Sequence, residues 1–337
     1  MSTSPKRDAD GVPAVPHEER ADFLGDTFLE ARQACREAVA EGALPYVAYF
    51  SRGVFTFSTD EFGDADTDRA VLNRLGRQLG HVVGDLDRAL QEPRTGPLIR
   101  TLLHTDHGAI MCNLVVPREN VVAVTFGAAH PDRPLTDVEE VNEADRAVAT
   151  LVARLRKRIS LPSLNPGGWE SAQVVRALNS VGDNGEPRVA EYQELPDEIR
   201  NACRASVRPE DLHYIAYYAG GELALEADHL DHTTLEPFFT QVAVDTRRSF
   251  YRVFGRQLEA VARRFNRLIA GGPPGGLVRR FVLDVEQGAV YYYRLDVGSY
   301  LVGVTIDQSR VRDSDERLSL LSSRFASLLR RSSRSQA

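Results

Sequence analysis

With 337 residues, of which 42% are apolar and 26% charged, the chain can bury two ordinary cores and is neither low-complexity nor fibrous. A formal charge of −7 is modest for this length and leaves acidic and basic partners both open locally. Three cysteines, an odd number without a CxxC spacing, suit a reducing compartment. There is no run of about 18 apolar residues and no hydrophobic signal core at the N-terminus, so a cytoplasmic protein without a membrane span is expected.

Residues 1–18, "MSTSPKRDADGVPAVPHE", are rich in Pro and Asp and are expected to be disordered. A helix is predicted over about 19 to 41, with Phe23, Phe28, Leu29, Cys35 and Val39 on its apolar face. The "QACR" inside it is how a caspase nucleophile segment begins. Glu37, however, stands where that site needs Gly, and only His17 precedes the thiol, so Cys35 is read as a packing residue. Strands are predicted at about 45–51 and 53–59, and a second helix at about 67–91. Three strands at about 98–105, 109–116 and 120–127 and a closing helix at about 135–158 complete the first unit.

Residues 159–193 read as a linker with loop-forming ends and a short helical middle from about Trp169 to Val181; Trp169, the only Trp, is expected to anchor it on a domain. The same order of elements then returns, as a helix at about 194–207, strands at 212–219 and 221–227, and a helix at 234–270. Strands at about 278–286, 288–296 and 299–307 follow, then a helix at 311–331 and a disordered tail at 332–337. The turns "SRG", "AGG", "TDHG" and "VEQG" put Gly where an antiparallel hairpin needs positive φ.

The second pass is a duplication rather than a coincidence of element order. "NACRASV" places Cys203 at an offset of 168 from Cys35, and the same offset carries Tyr46, Ala48, Tyr49 and Phe50 onto Tyr214, Ala216, Tyr217 and Tyr218. "GRQL" occurs at Gly76 and Gly255, "GAI" at Gly108 answers "GAV" at Gly288, and "VTF" at Val124 answers "VTI" at Val304. The offset rises to about 180 because the second copy has roughly a dozen extra residues before "GRQL". The domains are therefore 19–158 and 194–331.

Helix, two strands, helix, three strands, helix, around a five-stranded antiparallel sheet, resembles the roadblock (dynein light-chain) family. The stretch "GGLVRRFVLDVEQGAVYYYRLDVGSYLVGVTID" is similar to that family's three-strand meander, with Gly288 and Gly298 at its turns, while copy one has "VVPREN" at the corresponding turn. The resemblance implies an α+β fold with two five-stranded sheets flanked by helices. It also implies edge-to-edge pairing through the strand after each second helix, so that one chain forms an intramolecular pseudo-dimer with both second helices on one face. As to function, it implies a non-catalytic regulator or scaffold whose partner is a Ras-like GTPase or another protein. A GAF-like small-molecule-sensing module, built on a related sheet, is the alternative.

The second helices differ between the copies. In copy two Phe250, Val253, Phe254, Leu258 and Phe265 fall on one side, and Arg248, Arg252, Arg256, Arg263 and Arg267 form a stripe on the other. Copy one mixes signs there, with Arg74, Arg77, His81, Asp85 and Arg88. The stripe is the candidate partner-binding surface, suited to acidic protein groups or phosphates; nucleic acid fits less well, because aromatic residues are not interleaved on it.

Other chemistry is weakly signalled. "GGPPGG" at 271–276 lacks the Lys-Ser or Lys-Thr of a phosphate loop and precedes a predicted strand. His104 with His107, and His229 with His232, have metal-compatible spacing but no third ligand pattern. No catalytic motif, cofactor or metal site is expected.

Overall fold

The structure is a computed structural model in which residues 15–62, 66–127, 133–170 and 185–335 are described. The first half contains β1 (His17–Arg20), α1 (Leu29–Ala40), β2 (Tyr46–Ser51), β3 (Val54–Asp60), α2 (Asp66–Ala89), β4 (Leu98–Thr105), β5 (Gly108–Val116), β6 (Glu119–Phe126) and α3 (Glu139–Arg158). The second contains β7 (Arg188–Glu191), α4 (Asp197–Ser206), β8 (Tyr214–Ala219), β9 (Glu222–Asp228), α5 (Val244–Ile269), β10 (Val278–Val285), β11 (Gly288–Asp296), β12 (Ser299–Thr305) and α6 (Val311–Ser335).

The fold is α+β, but among the described residues the strands form one antiparallel sheet of twelve rather than two sheets of five, in the order β1-β3-β2-β6-β5-β4-β10-β11-β12-β8-β9-β7. The order has the same pattern from either end. The halves meet where β4 pairs with β10, and in that ladder Leu102 faces Val282, positions 180 apart in the chain. The central strands are rich in β-branched and aromatic residues and are buried on both faces, which is why they read as nearly continuous apolar runs.

Two apolar layers cover the sheet. On one face Leu102, Ala123, Val282 and Leu301 pack beneath Val148 of α3 and Leu321 of α6, with Cys35 of α1 and Cys203 of α4 in the same layer. On the other, Leu103, Ile110, Phe281 and Val302 lie beneath Leu79 of α2 and Phe254 and Leu258 of α5. Side chains alternate along each strand, so neighbouring residues such as Leu102 and Leu103 serve opposite layers.

Several expected boundaries are corrected. Strand β1 straddles the end of the expected disordered terminus (1–18) and the start of the expected first helix (19–41), and β7 lies in the expected linker (159–193). They escape detection because "HEER" and "RVAE" have little apolar alternation; ladder pairing and ion pairs hold them instead. In β1, Glu18 accepts from Arg32 (2.8 Å) and Arg36 (2.5 Å) of α1, while Glu19 accepts from Asn73 of α2 (2.7 Å), so consecutive residues clamp helices on opposite faces. The first helix begins at Leu29. The segment expected to be helical from 234 divides into a 3₁₀ stretch, Thr233–Phe239, that contains Pro237, and α5 proper. Helix α6 runs on to Ser335, through most of the expected disordered tail. The short helix expected between Trp169 and Val181 lies, from residue 171 on, outside the described residues. Among the described residues no helix is long and apolar enough to cross a membrane.

Candidate interaction surface on the second helices

Helix α5 buries Phe250, Phe254, Leu258, Phe265 and Ile269 against the sheet, a helical spacing that fixes its rotation. Val253, which periodicity places on that face, is 57% exposed. It sits at the margin of the apolar arc and lines the groove beside Ala89 of α2.

The arginine stripe is not one continuous solvent surface. Arg248 is buried and saturated: it grips Asp228 with two bonds of 2.9 Å and reaches Asp231 and Asp245 at 2.5 Å each. Those carboxylates hold its guanidinium more firmly protonated than usual, against the opposing cost of burial. Arg252 is half-buried, bound to Glu226 at 2.6 and 3.1 Å and lying 5.9 Å over the Tyr192 ring. The acceptors Glu226 and Asp228 are two apart on β9 and so project to the same face, under α5.

Copy one shows that the Arg248 pair belongs to the fold. With "GRQL" as the anchor, the helices align at an offset of 179, which puts Arg69 opposite Arg248. Arg69 binds Asp60, the counterpart of Asp228, at 2.7 and 2.9 Å, and both groups are buried. The same buried pair therefore pins the start of the second helix to the second strand in each half. Arg256, Arg263 and Arg267 remain exposed on α5, and Arg263 has only a loose 3.7 Å contact to Glu259.

Helices α2 and α5 lie side by side, joined by an ion pair of 2.7 Å between Asp85 and Arg264. These two residues are also 179 apart, so equivalent positions of the two helices meet with opposite charges. In an exchangeable pair of identical domains the same two positions would bring like charges together.

The opposite face of the seam carries a buried ionic cluster. Arg100 of β4 binds Asp145 of α3 with two bonds of 2.8 Å and Asp284 of β10 with another of 2.8 Å. Burial pushes the Asp284 carboxyl up to about 6, although Arg100 and the Gly167 N–H, which donates at 2.7 Å, favour its charged form. Arg280 repeats the theme with Asp315 (2.7 Å) and Tyr293 (3.1 Å), but His104 faces it where the other half places Asp284. Burial, with Arg280 adding to it, holds the His104 imidazole well below its ordinary range. Trp169 caps the cluster: its indole N–H donates to Asp145 at 3.0 Å, and Arg146 and Arg312 stand 4.7 and 4.6 Å from its ring. The linker is thus anchored on both halves, not on one domain.

The remaining sequence candidates are dispersed. His104 is buried and His107 is exposed at the following turn; His229 and His232 are 6.1 Å apart ring to ring, and among the described residues no group of three or more His, Cys, Asp or Glu could hold a metal. Residues 271–276 lead into β10, not into a helix N-terminus. Cys35, Cys112 and Cys203 are all buried, and burial pushes each thiol up to about 12, leaving essentially no thiolate at neutral pH. Compared with known protein families, with curated proteins and with solved structures, the chain matches none.

Proposed function

We propose that the chain is an intramolecular pseudo-dimer of two roadblock-like halves, acting as a non-catalytic regulator or scaffold whose α2/α5 layer binds an acidic protein surface. A Ras-like GTPase is the candidate class of partner. The observation that carries this reading is the set of three exposed arginines, Arg256, Arg263 and Arg267, on a helix whose Arg248 and Arg252 are held by carboxylates of strand β9. Arginine presents planar donors suited to carboxylates, and a rim of such charges governs association rate and salt dependence. The Asp85–Arg264 pair supports a face fitted to one asymmetric partner, since it fixes which half lies where.

The test combines capture of the partner with the triple substitution Arg256→Glu, Arg263→Glu, Arg267→Glu. Affinity for the captured protein should fall strongly, and the effect of added salt should reverse sign, while thermal stability stays within about 0.5 kcal/mol per site. Affinity of the triple variant equal to that of the wild type at two ionic strengths would remove this face from consideration.

A further inference from the structure

Helix α2 carries Gly76, Gly80 and Gly84, spaced by four and so on one face. Only Gly76 is needed for close approach, because a Cβ there would lie 2.6 Å from the Phe50 ring. At Gly80 and Gly84 an added Cβ meets nothing within 4 Å. The space beneath them is a cavity of about 580 Å³, within the range of small-molecule sites. Its floor consists of Phe50, Leu98, Cys112, Leu114 and Val122, contributed by β2, β4, β5 and β6.

The second half shows how the same fold closes this space. Tyr218, Tyr292 and Tyr300 stand where the first half has Phe50, Cys112 and Asn120, and Glu259 and Arg263 stand where it has Gly80 and Gly84. Tyr218 and Tyr300 stack at 4.6 Å, and their hydroxyls donate to the carbonyls of Arg252 (3.0 Å) and Gly255 (3.2 Å). The Tyr292 hydroxyl donates to Glu259 at 2.6 Å. The cavity is therefore a matter of side-chain choice in the first half and not a requirement of the fold.

Its mouth is cationic, lined by Arg52, Arg77, His81 and Arg118. Among the described residues none of the three guanidinium groups is engaged in an ion pair. Asp87 is the one acidic residue of the lining, and its Oδ1 accepts from the Leu98 N–H (2.7 Å) and from Gln91 (3.2 Å). Arg52 and Arg118 also adopt left-handed backbone, φ +53° and +70°, where the second half has Gly220 (+60°) and Gly298 (+70°). Glycine is the unstrained residue for that conformation, and strain of this kind gathers at functional sites. The Arg52 N–H donates to the Arg118 carbonyl at 2.6 Å, which holds the two turns together.

We propose that the cavity under α2 binds a small amphipathic organic anion, its apolar body on the floor and its carboxylate or phosphate head among Arg52, Arg77 and Arg118. The apolar floor supplies contact area, and the guanidinium groups supply charge-assisted hydrogen bonds to the head. The arginines of α5 take no part, so this site stands or falls separately from the partner-binding reading.

Binding of naphthyl phosphate and of dodecanoate to the full chain, followed by fluorescence and by calorimetry, tests the site, with naphthol and inorganic phosphate as the isolated body and head. Naphthyl phosphate, dodecanoate or both should bind saturably, at least about tenfold more tightly than naphthol and inorganic phosphate. Gly80→Leu should weaken that binding at least about tenfold while raising the thermal midpoint, since it fills open space and replaces a poor helix former. Arg52→Gly with Arg118→Gly relaxes both turns and removes two charges. It should abolish the advantage of the anions over naphthol, and it keeps the test decisive if Gly80→Leu does not fold. Failure of both anions to bind saturably at millimolar concentration, or binding unchanged in both variants, would overturn the proposal.

Discussion

Replacing His213 by Gln should flatten the acid side of the protein's stability curve. His213 is 1% exposed and sits just ahead of β8. Its Nδ1 accepts from the Ile306 N–H at 3.0 Å, which leaves Nε2–H to donate to the Pro209 carbonyl at 3.2 Å. Protonating Nδ1 would set one donor against another. Burial holds the imidazole down to about 4, the carboxylates of Asp307 and Asp211 opposing it only in part. The unfolded chain takes up the proton near pH 6.5. The folded state thus favours neutral His213, and its contribution is complete above about pH 6.5 and lost as pH falls toward 4. Linkage gives a loss of about 2 kcal/mol by pH 5 and about 3 kcal/mol by pH 4. Gln keeps a carbonyl to accept from Ile306 and does not titrate. Urea unfolding of both proteins at pH 7, 5 and 4 measures the difference, because carboxylates common to the two cancel. Parallel pH profiles for wild type and His213→Gln would refute the argument.

Arg248→Ala and Arg69→Ala should each cost about 3 to 5 kcal/mol in denaturant unfolding, since each strands a buried carboxylate, whereas Arg256→Ala should stay within about 0.5 kcal/mol. A thiol-specific aromatic disulfide should leave native Cys35, Cys112 and Cys203 unmodified at pH 8 over minutes and label all three in denaturant. Trp169→Ala should destabilise by about 1 to 3 kcal/mol by calorimetric unfolding, because Asp145 loses a donor and two guanidinium groups lose their ring.

Repetition made most of the architecture legible. Matching "GRQL", "GAI" and "VTF" with their counterparts located the meander strands to within about two residues, since a long apolar run admits few alternatives. What sequence could not supply was long-range electrostatics. Arg248 has the same spacing from its neighbours as Arg256, and only the placement of Asp228 on β9 distinguishes a buried clamp from an exposed charge. Strand β1 was invisible for a related reason, because Glu18 and Glu19 look like a solvated terminus until α1 and α2 come to meet them. The cavity has a trace in the sequence: "GRQLGHVVG" puts three glycines on one face of a helix, against the usual helix propensity. Two arginines in place of hairpin glycines, in "SRG" and "VVPREN", were a second such trace.

The two outermost strands decide how far the sheet can grow. An edge strand offers unpaired donors and acceptors to any passing chain, and the hazard rises with its length and apolarity. Here both ends of the ladder are four residues long and carry charge, Glu18, Glu19 and Arg20 on one side and Arg188 and Glu191 on the other. The longer strands β3 and β9 are thereby sheltered, while β4 and β10 satisfy each other. A design that joins domains edge to edge invites fibres; this chain joins its own two halves once and leaves only short, charged ends on which a third could be added.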